Sequence, residues 1–133
     1  MSRTQAESIV GDRLGIEGDS GWSACGYAPS DSLPPGVRMM VEDGSIARFD
    51  VDSGRTATAE GARIGDSEDR IRQLYSGRVV TTPHKYTAGH YLTVRPKAGD
   101  DTLFRIVFET DSGRVKLYRA GRLPAVAYVE GCG

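Results

Sequence analysis

Alternating apolar and polar residues along much of the chain predict β-strands. Ile106 and Phe108 fall on one side of an extended segment, as do Val115 and Leu117 of another. Such alternation buries one face of a strand and leaves the other wet. We therefore predict an antiparallel sheet of about six to eight strands. The strand candidates are 37–41, 46–51, 91–94, 103–109, 115–118 and 125–129.

Two short polar segments predict tight turns between these strands. Asp43-Gly44 separates the candidates 37–41 and 46–51, and the triplet 111–113 (Asp-Ser-Gly) separates 103–109 and 115–118. Residues of these types adopt the positive φ angles that short hairpin turns need. Each pair of strands is therefore expected to form a β-hairpin.

One segment has the spacing of an amphipathic helix. Ile71, Leu74 and Tyr75 follow one another at the intervals i, i+3 and i+4, which places them on one helical face. Asp66 is the predicted N-cap, and Gly77 is expected to end the helix.

A weaker helix candidate runs from Thr4 to Leu14, where Gly11 lowers the helical propensity. Together the patterns predict an α+β fold, in which one or two helices pack on one face of an antiparallel sheet. Residues 1–133 are expected to form a single domain.

A short motif occurs once in each half of the chain. Residues 49–55 read Phe-Asp-Val-Asp-Ser-Gly-Arg, and residues 108–114 read Phe-Glu-Thr-Asp-Ser-Gly-Arg. One interpretation is a tandem duplication of a helix-plus-strands unit, with pseudo-repeats 1–60 and 61–133. The other is that Asp-Ser-Gly is a common turn used twice. The sequence leaves both interpretations open.

Charge and hydropathy narrow the classes of partner. The 17 basic and 18 acidic residues give a formal charge of -1, which lacks the basic excess of proteins that grip nucleic acid. The sequence has no run of about 18 apolar residues, so we predict no transmembrane segment. The expected partner is therefore neither nucleic acid nor the bilayer interior.

The two cysteines are widely separated in the sequence. Cys25 and Cys132 do not form a CxxC pair, and no histidine lies near either one. They are either two unrelated buried thiols or one disulfide that ties the end of the chain to an early strand. We predict the disulfide, which implies an oxidising compartment. Residues 1–5 carry no apolar signal region, so a periplasmic or secreted location would require a leader that has already been removed.

The helix region carries a family resemblance. Residues 62–68 (Ala-Arg-Ile-Gly-Asp-Ser-Glu), followed by Ile71 and Leu74-Tyr75, resemble the helix opening of small exported bacterial domains with the beta-lactamase-inhibitor-protein-like fold. That group includes an outer-membrane lipoprotein family involved in barrel assembly. The region from Gly61 to Cys132 also resembles uncharacterised exported or lipid-anchored proteins of Gram-negative bacteria. The resemblance implies a cell-envelope setting and no known activity, and the N-terminus has no lipid-attachment cysteine.

The segment 83–91 holds both histidines, His84 and His90, together with Tyr86 and Tyr91. Two imidazoles can bind zinc or copper if further ligands converge on the metal, but the sequence indicates no third ligand. The histidines can equally be structural residues at a sheet edge. A third interpretation is a contact surface for a partner protein, because tyrosine and histidine combine apolar area with a polar tip. Trp22, the sole tryptophan, is either a core residue or a binding anchor.

Catalytic patterns are weak. Acidic pairs such as Asp50-Asp52 and Glu109-Asp111 are expected at turns or on solvent-facing strand positions, and no serine lies in a Gly-x-Ser-x-Gly elbow. We therefore predict a non-catalytic module with no cofactor, located in the cell envelope or secreted, that binds another protein as an inhibitor or assembly factor. The expected contact residues are Trp22, Tyr86, His90 and Tyr91. The alternative is a metal-binding or hydrolytic enzyme centred on His84 and His90.

Overall fold

A computed structural model of the chain describes residues 25–28, 33–43, 45–99 and 101–129. The described elements are β1 (Gly26–Ala28), β2 (Val37–Glu42), β3 (Ser45–Val51), α1 (Glu68–Leu74), β4 (Val79–Pro83), β5 (His90–Val94), β6 (Phe104–Asp111), β7 (Arg114–Arg122) and a short 3-10 helix (Ala125–Ala127). The strands form one seven-stranded sheet in the order β1-β2-β3-β7-β6-β5-β4. All neighbouring strands in it are antiparallel.

The antiparallel sheet with a helix on one face confirms the coarse prediction of the fold. Strands β1 and β4 were not among the candidates. β4 is an edge strand whose residues from Val80 to Pro83 are all exposed, so it lacks the alternation that marks a half-buried strand. The second predicted helix, 4–14, lies outside the described residues.

One face of the sheet, which we call the core face, packs against α1. Leu92, Phe108 and Tyr118 point from three strands into this core, where Ile71 and Tyr75 meet them from the helix side. The Phe108 ring lies 5.9 Å from the Tyr75 ring and 5.3 Å from the Tyr118 ring. The predicted apolar stripe of the helix is thus buried, and Leu74 packs half-buried beside it.

Helix α1 begins one residue later than the sequence predicts. Its N-cap is Ser67, whose hydroxyl accepts a hydrogen bond from the backbone N–H of Arg70 at 3.2 Å. The Asp66 carboxylate instead accepts from the backbone N–H of Arg63 at 3.0 Å, outside the helix. Both residue types are good caps, so the spacing alone could not decide between neighbours. Gly77, with φ +78°, follows the last turn, as expected for a residue that ends a helix.

The two predicted hairpins are confirmed as β2–β3 and β6–β7. Asp43 has a φ of 52° in the first turn, and Ser112 and Gly113 have φ angles of 53° and 76° in the second. The two copies of the repeated motif are used differently. The first ends β3 and leads into the connection to α1, whereas the second closes the β6–β7 hairpin. The division into pseudo-repeats 1–60 and 61–133 stays a prediction.

The predicted last strand, 125–129, is wrong. Ala125–Ala127 forms a 3-10 helix instead. Pro124 has no N–H to donate to a strand ladder. The carbonyls of Ala125, Val126 and Tyr128 accept hydrogen bonds from buried arginine side chains, so the segment is held by side chains.

Of the two cysteines in the predicted disulfide, only Cys25 lies among the described residues. Cys25 directly precedes β1, and no free cysteine occurs among the described residues. Cys132 lies outside the described residues, so its pairing with Cys25 stays a prediction.

Glu68 fastens the start of α1 to the sheet. Its Oε2 accepts hydrogen bonds from the Thr110 hydroxyl at 2.6 Å and from His90 Nδ1 at 2.8 Å. Arg72 Nη2 lies 3.4 Å from the other carboxylate oxygen. Burial alone would raise the pKa of Glu68, but the bonds from Thr110 and His90 outweigh it and hold that pKa below its ordinary value.

This contact predicts a specific loss of stability in acid. A carboxylate whose pKa is lowered on folding stabilises the fold above its unfolded pKa, and this contribution disappears as the pH falls through the folded pKa. Glu68→Gln should therefore be less stable than wild type at pH 7, and the difference should shrink below about pH 4.5. The midpoints of urea unfolding for wild type and Glu68→Gln, determined between pH 7 and pH 3, measure this difference in stability.

Asp69→Asn is the matched control, because Asp69 lies on the same helix with a side chain that is 88% exposed. Its urea midpoint should stay close to that of wild type at every pH. A Glu68→Gln difference that is constant with pH would contradict the interpretation.

Candidate functional site

The face of the sheet opposite the core face carries a cluster of buried charges, and we call it the charged face. Asp50 and Glu109 are only 7% and 8% exposed, and Arg48 and Arg119 only 3% and 2%. The sequence-based expectation that these carboxylates lie at turns or on solvent-facing positions is wrong for both. Along β3 and β6, these two carboxylates alternate with Phe49 and Phe108, as expected for strands. The carboxylates therefore lie on the charged face, but this face is covered as well.

Asp50 is held by the neighbouring arginine on its own strand. Arg48 Nε donates a hydrogen bond to Asp50 Oδ2 at 3.0 Å. Asp50 also lies directly opposite Arg119 of the adjacent strand β7. Burial raises the pKa of Asp50 even though Arg48 and then Arg119 act in the opposite direction. The net effect is a pKa above the ordinary value for an aspartate, although the carboxylate is paired with Arg48.

Glu109 connects Arg119 to His84. Arg119 Nη1 forms a buried ion pair with Glu109 Oε2, and His84 Nε2 lies 2.6 Å from Glu109 Oε1. The backbone N–H groups of Tyr86 and Thr87 both donate to His84 Nδ1, at 3.0 and 3.2 Å. Because Nδ1 is an acceptor, the ring must carry its proton on Nε2 and donate it to Glu109.

The two buried arginines also hold the segment that follows β7. Arg48 Nη1 donates to the carbonyls of Ala125 and Tyr128 at 2.9 and 2.7 Å, and Arg119 Nε donates to that of Val126 at 2.6 Å. This segment covers part of the charged face, which explains why the charges beneath it are buried.

Beside this segment lies a cavity of about 360 Å³, lined by all four buried charges. Arg38, Asp52 and Tyr27 form part of its wall, and Tyr86 also lines it. Arg38 pairs with Asp52 at 3.4 Å, and its guanidinium lies 4.8 Å from the centre of the Tyr27 ring. Tyr86 is 59% exposed. The cavity therefore combines balanced charges with two tyrosines, and its volume is that of a small ligand site.

The sequence-predicted contact residues do not all meet here. Tyr86 lines the cavity. Tyr91 stacks on the His84 ring at 4.5 Å between centroids, and its hydroxyl accepts from the backbone N–H of Lys85 at 3.1 Å, so it supports the loop that carries Tyr86. His90 contacts Glu68 beside α1, away from the cavity. Trp22 lies outside the described residues.

The structure does not bring the two histidines into one site. His84 contacts Glu109 on the charged face, whereas His90 contacts Glu68 of α1. Across residues 25–28, 33–43, 45–99 and 101–129, no cluster of three or more His, Cys, Asp or Glu side chains could hold a metal ion. Their arrangement among the described residues is that of two separate carboxylate-imidazole contacts.

Sequence reasoning missed the buried charges, although the repeated motif contained a signal for them. The residue after each motif phenylalanine is acidic, Asp50 in the first copy and Glu109 in the second. Both flanking strands pair with β7, so the two acids lie on either side of Arg119. Asp50 is engaged by Arg48, and Glu109 is engaged by Arg119 and His84, which favours a binding platform over a pair of catalytic carboxylates.

Comparisons with known proteins add no family to this description. A scan against family models and searches of curated proteins and solved structures found no match. The resemblance to the beta-lactamase-inhibitor-protein-like group therefore stays a prediction. Within the described part of the chain, no helix has the length and apolar character needed to cross a membrane.

Proposed function

We propose that this chain is a non-catalytic binding module of the cell envelope or the secreted fraction, which recognises another protein through the cavity on its charged face. The observation that carries the proposal is Tyr86, a tyrosine 59% exposed beside a cavity floored by buried charges. Exposed tyrosines and arginines are the residue types that most often dominate the energy of protein interfaces.

The loop that carries Tyr86 is ordered by contacts that continue into the sheet. The backbone N–H of Tyr86 donates to His84, and His84 donates to Glu109. Glu109 in turn pairs with the buried Arg119. A loop whose backbone is held in place before binding loses less conformational entropy when a partner docks. This chain of hydrogen bonds therefore supports a role for Tyr86 as a preformed anchor.

The chemistry of the cavity favours a polar, uncharged group of the partner. Its three arginines face three carboxylates, and Arg48, Asp50, Arg119 and Glu109 already satisfy one another or nearby carbonyls. Neither a strongly acidic nor a strongly basic ligand gains from such a balanced site. A loop of a partner protein, with peptide and hydroxyl groups, matches it better.

The proposed location in the cell envelope or the secreted fraction is supported by the contacts of residues that lie near the two cysteines in the sequence. Arg48 contacts both the Tyr27 hydroxyl at 3.3 Å and the Tyr128 carbonyl at 2.7 Å. These residues lie close in sequence to Cys25 and Cys132 respectively. A bridge between the two cysteines would join segments that Arg48 already draws together, and such bridges persist in oxidising compartments.

A photo-crosslinking experiment tests the proposal. A benzophenone amino acid at position 86 is used to label proteins from the envelope and secreted fractions of the native host. The labelled partner is then purified and titrated against wild type and variants by calorimetry. Tyr86→Ala should weaken binding at least about tenfold, as loss of an interface anchor does.

Phe104→Ala provides the matched control, because Phe104 is also an exposed aromatic residue but points to the core face. Its affinity for the partner should stay within about twofold of wild type. Equal losses in the two variants, or no adduct at position 86 that unlabelled protein competes away, would refute the proposal.

A further inference from the structure

An apolar groove lies on the core face beside the β3–α1 connection. Its volume is about 450 Å³, within the range of small-molecule sites. Side chains of the sheet, including Phe49, Ile106, Tyr118 and Ala120, lie along it, and residues 56–60 line it from the β3–α1 connection. We call this feature the apolar groove.

The floor of the apolar groove is a row of paired side chains from Phe49 to Ile106, and the row continues to Val94 in a neighbouring cavity. Phe49 of β3 lies opposite Ala120 of β7, Ala120 opposite Ile106 of β6, and Ile106 opposite Val94 of β5. Three strand spacings give this row a length of roughly 14 Å. A row that crosses the strands in this way presents a long, narrow apolar track, which suits an extended hydrocarbon chain better than a compact ring system.

The track leads to a cluster of positive charges. A second cavity, of about 220 Å³, shares Glu60, Phe104 and Ile106 with the apolar groove and reaches Val94 at the end of the row. Three cationic side chains line it, and we call them the cationic mouth: Arg78, Arg95 and Lys97. Among the described residues that line this cavity, Glu60 is the single carboxylate, so their side chains carry a net positive charge.

The two guanidinium groups of the cationic mouth are fixed by the backbone. Arg78 Nη1 donates to the carbonyl of Arg95, and Arg95 Nη2 donates to the carbonyl of Gly77, both at 3.2 Å. A guanidinium has five N–H donors in a planar fork that matches a carboxylate. One bond to a backbone carbonyl therefore orients each group and leaves donors for an anion.

We propose that the apolar groove and the cationic mouth form one site for a long-chain carboxylate. The hydrocarbon chain lies along the row from Phe49 to Val94, and the carboxylate meets Arg78, Arg95 and Lys97. Phe104, a large apolar side chain that is 37% exposed at the junction, would be covered by the chain. This site is on the opposite face from the proposed protein-binding cavity and does not depend on it.

Calorimetric titration with octanoate, decanoate and dodecanoate, each below its critical micelle concentration, tests the apolar groove. Each added methylene that enters the groove should raise the affinity about fourfold. Dodecanol should bind at least about tenfold more weakly than dodecanoate, because it lacks the charge that the cationic mouth recognises. Equal affinities across the acids, or for acid and alcohol, would overturn the proposal, as would binding only above the micelle concentration.

Two variants locate the site on the protein. Arg95→Gln combined with Lys97→Gln changes only exposed side chains, and it should weaken dodecanoate at least about tenfold while leaving dodecanol unchanged. Ala120→Phe should block the floor and remove binding of both, with the far-UV circular dichroism of wild type as the check on folding. Tyr86→Ala should bind dodecanoate like wild type. Unchanged dodecanoate binding by the Gln double variant would overturn the assignment even if Ala120→Phe failed to fold.

Discussion

Replacing Arg119 by alanine should lower the free energy of unfolding by about 3–5 kcal/mol, because it leaves the buried Glu109 carboxylate without its cationic partner. Arg119 is 2% exposed and also donates to the Val126 carbonyl at 2.6 Å. Its loss therefore also removes one of the hydrogen bonds that hold the segment over the charged face, where Arg48 still binds the carbonyls of Ala125 and Tyr128. Equilibrium urea unfolding at pH 7, followed by circular dichroism, measures the difference.

Arg122→Ala is a matched control on the same strand. Arg122 also pairs with a carboxylate, Asp101 at 2.6 Å, but the two side chains are 61% and 43% exposed. Exposed pairs contribute about 0–1 kcal/mol, so this variant should remain close to wild type. If both arginine variants lost stability to the same small extent, the buried network would not be a major source of stability.

Replacing Phe108 by alanine should cost about 3–5 kcal/mol, as expected when a large ring is removed from a close-packed core. Phe108 is fully buried, and its ring contacts those of Tyr75 and Tyr118. It therefore joins the sheet to the helix side of the core. The change should appear as a lower urea midpoint with little change in the slope of the transition.

Phe104→Ala is the matched control, because it is the same substitution on the same strand and the same face of the sheet as Phe108→Ala. Phe104 is 37% exposed, so Phe104→Ala removes less buried area and should cost about 1–2 kcal/mol. A similar loss for both variants would mean that the core is not centred on Phe108.

The sequence predicted those parts of the fold that depend on local patterns. The hairpin turns at Asp43 and at Ser112-Gly113 followed from backbone preferences within four residues, and the buried stripe of α1 followed from helical spacing. The edge strand β4 was missed because nearly all its side chains are exposed, which leaves no alternation to detect. The segment 125–129 was assigned to a strand because apolar composition alone does not report which backbone groups are free to pair.

The candidate site was predicted only in part for the same physical reason. Tyr86 was identified from the density of tyrosines and histidines, a local property. The burial of Asp50 and Glu109 could not be anticipated, since it depends on β7 pairing between β3 and β6 and on the later segment lying over them. Both conditions are set by contacts between residues far apart in the sequence. Likewise, the sequence alone does not show that His84 and His90 contact different carboxylates, because these contacts depend on which elements pack beside each histidine.

The position of Arg48 has a consequence for the order in which the chain assembles. Its guanidinium joins Tyr27 near the start of the described chain to Tyr128 near its end. Closing a loop of this length costs more entropy than closing a hairpin, and contacts of such long range slow the formation of the native topology. We expect the β2–β3 and β6–β7 hairpins to form early and the contacts of Arg48 with Tyr27 and Tyr128 to form late. An oxidant acting on Cys25 and Cys132 would then act on a nearly native chain.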